Sequence, residues 1–464
     1  MEKEGHKISV KEILNVTGGE LVTGNEQCLF QNFERDSRNV KEGDMYLGIK
    51  GETVNGSIYF EEAFKNGAQG VILQEIQITE DQKEKYKNKV VIIVKDTIKA
   101  MQQLATYKRN MYNIPVVAIT GSVGKTSTKD MVANVMNQKF NTLKTEGNYN
   151  NHIGVPLTIF RLKNEEALTI EMGMNHFGEI STLTKIAKPT VCVITNIGTA
   201  HIGNLGSREN ILKAKLEILE GMSKDGTIVI NNDNDLLHKW YLENKDKYKI
   251  ITYGIENESD YMAEKIESKE DGSTYNLKGT NEKIIVPVGG NHFVLNSLCG
   301  VAVGSIFEIP IEKIKYGIES FELTKKRMDV TKIKENITII NDCYNANYDS
   351  MKAALEYLGK IENKRKVAVL GDMLELGKYS KELHEKVGKE VIKNKIDILI
   401  VVGKEAKYIA NIAKEGMNKE NVIECNSNEE AANVLNKIKK ENDCILFKAS
   451  NGMKFGEIIE KINS

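Results

Sequence analysis

Residues Pro115-Val-Val-Ala-Ile-Thr-Gly-Ser-Val-Gly-Lys-Thr-Ser-Thr128 constrain this chain more than any other stretch. A short run rich in β-branched residues ends in a glycine-rich turn carrying Gly124-Lys125-Thr126. Apolar residues at helical spacing follow: Met131, Val132, Val135 and Met136. Strand, turn and helix in that order are the context of a phosphate-binding loop. Glycines let backbone N–H groups approach phosphate oxygens, a lysine supplies charge, and the hydroxyl beside it can ligate Mg²⁺. The spacing departs from the common pattern, whose first glycine would fall on Ile119, and reads as the narrower Thr-Gly-Ser-x-Gly-Lys-Thr. An ordinary strand-to-helix turn is the competing reading, but the flanking strand and helix favour a nucleotide, and ATP is the one expected. Gly121, Ser122, Val123, Gly124, Lys125, Thr126 and Ser127 are expected to hold it.

Around this loop, apolar strand-like runs alternate with helical patterns almost end to end, which predicts an α/β protein with mostly parallel sheets. The 464 residues exceed one core, and domains of ~150 residues suggest about three. The first block carries a strand over 44–50, a helix over 60–66 and strands over 70–73 and 90–94. A helix over 97–110 leads into the phosphate loop. Strands over 116–120, 167–171, 191–196, 227–231 and 250–253 follow, then a hairpin over 278–288 and a helix over 291–307. The last block opens near Thr324, with strands over 338–341, 366–370, 398–402 and 444–447, and forms a second doubly wound unit. The expected domains are 1–96, 97–322 and 323–464. A phosphate loop in the middle block with a Rossmann-like block behind it suggests ATP held in a cleft that closes over it.

A formal net charge of −1 argues against nucleic acid or a membrane surface as partner, and charge runs such as 81–89 read as solvated faces. No apolar stretch approaches the ~20 residues needed to span a bilayer. The N-terminus has no basic segment followed by an apolar run, so no secretory signal is expected. The six cysteines are dispersed, with no Cys-x-x-Cys pair, and read as reduced residues of a cytoplasmic protein lacking disulfides and zinc. A monomer is the expected state.

Magnesium at a nucleotide needs hard oxygen ligands. Glu171 ends an apolar strand and precedes Met-Gly-Met-Asn175-His176, where such a carboxylate belongs; a surface glutamate at a strand end is an equal alternative. His201 follows another strand through Asn196-Ile-Gly-Thr-Ala, at the same edge of the sheet, and that location makes it a candidate. Residues 207–222 read as one helix with apolar Ile211, Leu212, Ile218 and Leu219. Lys213 and Lys215 upon it read as ordinary solvated lysines. Asp342 ends a strand before the Asn-rich turn Cys-Tyr344-Asn345-Ala-Asn347. It either accepts bonds from ribose hydroxyls or caps the helix starting near Tyr348.

Together these segments resemble the Mur ligase family, ATP-dependent amide-forming enzymes of peptidoglycan precursor synthesis. The resemblance rests on residues 120–126, Gly-Asn-Tyr-Asn-Asn-His-Ile-Gly-Val-Pro (147–156), Glu-Met-Gly-Met-Asn-His-Phe-Gly-Glu-Ile (171–180) and Asn-Ile-Gly-Thr-Ala-His (196–201). Ala-Lys-Leu-Glu-Ile (214–218), Asp-Cys-Tyr-Asn-Ala-Asn (342–347) and Gly-Asp-Met-Leu-Glu-Leu-Gly (371–377) extend it over all three blocks. The Gly-Asn-Tyr-Asn-Asn and Tyr-Asn-Ala-Asn signatures point to the member that adds D-alanyl-D-alanine to UDP-N-acetylmuramoyl-tripeptide. The resemblance implies a UDP-binding domain, a central ATPase domain and a C-terminal Rossmann-like domain, with ATP and Mg²⁺ required.

By the same resemblance, Lys125, Glu171, His201, Lys215 and Arg327 are the catalytic set, and Thr126, Glu171, His201 and Lys215 hold metal. In relatives the lysine matching Lys215 is carbamylated by CO₂. His292 and Asn296 match the adenine side, Arg327 the arginine that reaches the phosphates, and Asp342 the ribose-binding aspartate. Ser37, Arg38, Lys50 and Gly51 match the uridine-nucleotide stretch. Asn150, Asn151, Tyr344, Asn345 and Asn347 are carried over as substrate-binding.

Three stretches depart from the family pattern. Asn55-Gly56-Ser57 replaces Asp-Gly-His, Tyr348 replaces a proline, and Lys448-Ala449-Ser450-Asn451 replaces Lys-Gly-Ser-Arg. The last change removes a cationic fork able to grip a carboxylate. It leaves open a paralogue with another amino donor, a folylpolyglutamate- or cyanophycin-synthetase-like ligase, or a non-catalytic nucleotide binder.

Overall fold

The computed structural model describes residues 5–269, 272–323 and 327–463. The chain divides into two compact units. One comprises Met1–Thr120, Lys139–Val193 and Leu216–Thr227, the other Gly121–Gln138, Ile194–Lys215 and Ile228–Ser464.

The first unit opens with α1 (Val10–Thr17), set by a capping box in which Ser9 and Glu12 satisfy each other's backbone N–H groups. Five strands then form a sheet: β1 (Glu20–Thr23), β2 (Phe33–Glu34), β3 (Met45–Leu47), β4 (Gly70–Leu73) and β5 (Val90–Ile93), ordered β1-β5-β4-β3-β2. Only β1 runs antiparallel to its neighbour. Helix α2 (Phe60–Lys65) packs Phe60 and Phe64 into the cluster of Tyr46, Val71, Leu73 and Val91 that covers one face. Helix α3 (Thr97–Asn110), capped by Asp96, leads to β6 (Val116–Thr120). Strand β8 (Ala167–Glu171) lies parallel between β6 and β7 (Thr142–Lys144). The register puts Glu171 opposite Ile119, so both strands end at the edge from which the phosphate loop departs. β9 (Val191–Ile194) ends two residues before the expected limit of 196.

The second unit begins with the loop and α4 (Lys125–Met136) and continues through α5 (Arg208–Leu216), after which residues 216–227 return to the first unit. The helix expected over 207–222 ends at Leu216 and tightens into a 3₁₀ turn over Glu217–Gly221. The chain bends where Gly221 lies against the Thr184 backbone; a Cβ there would meet Thr184 O at 2.2 Å.

After β10 (Thr227–Asn231) and β11 (Lys249–Gly254), strand β12 (Tyr261–Lys269) pairs antiparallel with β13 (Gly272–Leu277), which pairs with β14 (Lys283–Val286). The expected hairpin over 278–288 is thereby corrected: Lys278 to Glu282 is its turn and its first strand lies upstream. Strands β12 and β13 are rich in charged and polar residues, which hid them from a search for apolar runs.

Helix α6 (Asn291–Ile306) is apolar on nearly all sides and almost wholly buried. The expected opening of the last block, near Thr324, lies outside the described residues. Beyond it, β15 (Asp329–Lys332), β16 (Thr338–Asn341), β17 (Arg365–Gly371), β18 (Ile398–Val402), β19 (Val422–Cys425) and β20 (Asp443–Lys448) form a sheet ordered β15-β16-β20-β17-β18-β19. All neighbours are parallel except β15 and β16. This is the doubly wound arrangement expected, with α7 (Tyr348–Lys360) and α8 (Ser380–Lys393) among its helices. Ile339, Val369, Ile400, Ile445 and Phe447 build the core on one face. No helix among the described residues is long and apolar enough to cross a membrane.

Candidate active site

The Gly121–Gly124 turn takes two glycine-dependent conformations, φ +153° at Gly121 and +80° at Gly124. Thr195 and Asn196, just past the end of β9, brace it. Thr195 Oγ1 donates to Val123 O at 2.7 Å, and Asn196 Oδ1 accepts from Ser122 N and Val123 N at 3.0 and 2.9 Å. Gly198 N donates to Ser122 Oγ at 2.9 Å. Lys125 Nζ donates to Gly121 O at 2.8 Å. Thr126 is buried and Ser127 half-buried in the first turn of α4. Asn296 of α6 accepts from Thr128 Oγ1 at 3.0 Å, and its Oδ1 would lie 3.3 Å from a Cβ on Gly124. The loop thus meets α4, α6 and the segment after β9, as phosphate binding demands. His292, one turn earlier on α6, lies with its ring centre 4.4 Å from that of Phe293 in a tilted contact, and burial pushes its pKa down to about 4.

Lys215 corrects the sequence expectation. It is not solvated: at 1 % exposure it is among the largest fully buried side chains. Burial, and then the charge of Lys125, hold its pKa well below that of ordinary lysine. Nothing in the spacing of α5 announces this, because Lys215 is one of four charged residues along a short helix. Lys213 is exposed, as expected.

Glu171 is also buried, at 2 % exposure, so it is no surface carboxylate. Asn150 Nδ2 donates to its Oε1 at 2.7 Å and Thr145 Oγ1 accepts from its backbone N–H at 3.0 Å. Asn151 Oδ1 accepts from Ile153 N and Gly154 N at 3.1 and 2.8 Å, opening the helix Gly154–Phe160.

His201 adopts φ +62° and places Nδ1 3.0 Å from Glu375 Oε2, within ion-pair reach but off the line of a good hydrogen bond. The His201 contact lowers the pKa of Glu375. Glu375 belongs to the 371–377 motif, whose backbone also accepts from Gly203 N at 3.2 Å.

Asp342 is not a helix cap. Asn347 caps α7, in a capping box with Ser350. Asp342 instead pairs with buried Lys448 and accepts from Met328 N at 3.2 Å. Lys448 Nζ also reaches Asn345 O at 3.2 Å. The Arg327 guanidinium lies 3.9 Å from the centre of the Tyr344 ring, a cation–π contact.

In the first unit, Ser37 and Arg38 follow β2, and Lys50 and Gly51 follow the adjacent parallel β3, so all four lie at one sheet edge. Ser37 Oγ donates to Glu62 Oε2 at 2.5 Å. Arg38 pairs with Asp36 at 2.7 Å and holds that carboxyl down at about 2. Lys50 pairs with Glu75 at 2.7 Å, and Gly51 N donates to Val54 O at 2.9 Å.

Among the described residues no three His, Cys, Asp or Glu side chains gather to hold a metal. The expected donors are of another kind: the Thr126 hydroxyl, the Glu171 carboxylate, an imidazole and a modified amine. Hard oxygens on two buried residues suit magnesium in chemistry.

A mostly parallel α/β frame with a glycine loop opening a helix at a strand's carboxyl end defines a phosphate-loop nucleotide-binding protein. Comparison with known proteins narrows the class. The Mur ligase family, catalytic domain, matches residues 31–109, the Mur ligase middle domain 119–304, and the Mur ligase glutamate ligase domain 326–451. The UDP-N-acetylmuramoyl-tripeptide–D-alanyl-D-alanine ligase of Bacillus subtilis (strain 168) is 35 % identical over 459 residues, covering 98 % of both chains. Among solved structures, MurF from Acinetobacter baumannii superposes with a TM-score of 0.88 at 29 % identity, covering 99 % of each chain. MurF ligase from Thermotoga maritima in complex with ADP gives 0.81 at 28 % identity, over 93 % of this chain and 97 % of that one. The chain belongs to the Mur ligase family.

Proposed function

We propose that this protein joins D-alanyl-D-alanine to UDP-N-acetylmuramoyl-tripeptide in an ATP-dependent amide ligation, giving the pentapeptide, ADP and phosphate. It is an enzyme of peptidoglycan precursor synthesis, and its partners are these small molecules. The observation that carries the reading is the braced Gly121–Thr126 loop in a chain matched end to end by a ligase of that name. Cytoplasmic action fits substrates of this kind and the six free cysteines. Domain limits of 1–96, 97–322 and 323–464 accompany this reading.

A carboxylate and an amine do not condense unaided in water. Transfer of the ATP γ-phosphoryl group to the tripeptide carboxylate gives an acyl phosphate. The dipeptide amine attacks its carbonyl carbon, phosphate leaves with the C–O bond pair, and the amine sheds a proton. Negative charge shifts across the phosphoryl group during transfer, so positioning and fixed positive charge accelerate it. Lys125 and the N–H groups of 124–127 at the start of α4 face the phosphates, and Arg327 adds charge from the last block. Asn296 and His292 flank the base, and Asp342 takes the ribose.

Magnesium, when bound, neutralises phosphate charge and orients the oxygens. Thr126, Glu171, His201 and Lys215 would hold it. Lys215 suits its part because a neutral amine, unlike an ammonium, can add CO₂ and release a proton to become an anionic carbamate. Ser37, Arg38, Lys50 and Gly51 would take the uridine nucleotide. Asn150, Tyr344 and Asn345 would meet the substrate, with Asn151 and Asn347 shaping the turns that present them. ADP release across a panel of tripeptides and amino donors tests the reading. Turnover with a different donor, such as a single amino acid, would favour a paralogue.

A further inference from the structure

The segment after β9 has two working sides. On one, Thr195, Asn196 and Gly198 hold the phosphate loop through the bonds described above. On the other, the Asp349 carboxylate accepts from Thr199 N and Thr199 Oγ1 at 2.6 and 2.8 Å. It lies flat against Gly198, where a Cβ would meet Asp349 Oδ2 at 2.3 Å. Asp349 stands in the first turn of α7, where an anion is favoured by the helix N-terminus. Arg208 grips the same segment: Nη2 donates to Ile197 O at 2.7 Å, and the guanidinium pairs with Asp235 at 2.5 Å.

The Asp349 carboxylate is thus joined to the phosphate loop through adjacent residues, Thr199 on its own side and Gly198, bonded to Ser122 Oγ, on the other. Its two donors come from one residue, and that residue adjoins the glycine whose N–H orients Ser122. We propose that Asp349 is a positioning residue for the phosphate loop, fixing the Gly198–Thr199 turn whose Gly198 N–H holds Ser122 Oγ, and with it the course of the loop into the Gly124–Thr126 start of α4. The proposal rests on the nucleotide assignment above and adds to it a fixed link from the Asn-rich turn and α7 to the loop. A tighter or looser seat for α7 therefore changes nucleotide affinity before it changes use of the amino donor.

The test uses the full-length enzyme, with ATP varied at saturating tripeptide and dipeptide, and ADP binding followed by calorimetry. Asp349→Ala should raise KM for ATP and weaken ADP binding by about tenfold, the size usual for one lost positioning contact. KM for D-alanyl-D-alanine should stay within about twofold. Asp349→Asn, which keeps an oxygen acceptor, should fall between, and it serves alone if the alanine variant fails to fold. Thr199→Val should weaken ADP binding as well, and adding it to Asp349→Ala should cost little more, because the two act as one contact. An ATP KM and ADP affinity within twofold of wild type in the Asp349 variants would overturn the proposal. So would fully additive effects, or a lower melting temperature with unchanged KM values. Lys125→Ala is the control: if it keeps wild-type ADP affinity, the nucleotide assignment has failed, whereas nucleotide lost there and kept in Asp349→Ala refutes the positioning role alone.

Discussion

Lys215 lies buried with the ammonium of Lys125 as its charged neighbour, and desolvation followed by that like charge favours its neutral amine. A guanidinium in the same place would stay charged and could not take up CO₂. Lys215→Arg should lower kcat by ~10²-fold or more, the scale seen when a key electrostatic group is lost. Lys215→Ala should recover part of its activity when a short carboxylic acid is added, since a small anion can stand in the vacated space. Steady-state rates with and without added acetate check both.

The Gly121 backbone passes so close to Thr195 that a Cβ would sit 1.9 Å from Oγ1. Gly121→Ala should therefore displace the loop and cost on the order of 2–4 kcal/mol of stability through clash and backbone strain combined. Thermal unfolding and ADP calorimetry on the same variant would show both losses. Unchanged ADP affinity would mean the loop is not built as described.

Glu171 keeps its bond from Asn150 if its charge alone is removed. Glu171→Gln should leave the melting temperature within a few degrees but lower kcat by ~10²-fold and raise the Mg²⁺ concentration needed for half-maximal rate. A variant with wild-type magnesium dependence would remove Glu171 from the metal site.

Two histidines with lowered pKa contribute to the loss of stability on acidification. Burial pushes His292 down to about 4 and lowers His384, whose Nε2 accepts from Met373 N at 3.0 Å while Nδ1 meets Ser380 O at 2.8 Å. Below the unfolded value of ~6.5 the unfolded chain binds protons that the folded chain refuses, so stability falls as pH drops from there toward 4. His292 adds at most ~1.4 kcal/mol per pH unit in that window. His292→Gln and His384→Gln should flatten the melting temperature between pH 6.5 and 4. A slope unchanged from wild type in both would contradict this.

Strands such as 116–120, 167–171, 338–341 and 398–402 were legible because buried parallel strands are short β-branched runs, and all four ended where expected. Strand β12 was not, since Glu264, Lys265, Glu267 and Lys269 break up the apolar run of Tyr261–Lys269. The phosphate loop could be read from local spacing, but its supports could not. Thr195 and Asn196 meet the loop, and Glu375 and Lys448 meet His201 and Asp342, across many residues of chain, where no short-range period marks them. Lys215 was the sharpest miss: lysine is rarely buried, and only the fold reveals that this one is.

The most direct measurement is ADP release by the purified protein with UDP-N-acetylmuramoyl-tripeptide, D-alanyl-D-alanine or both. ADP formation that requires both, is abolished by Lys125→Ala and yields the pentapeptide is the predicted result. ADP release indifferent to either substrate, or no nucleotide turnover with both present, would contradict it.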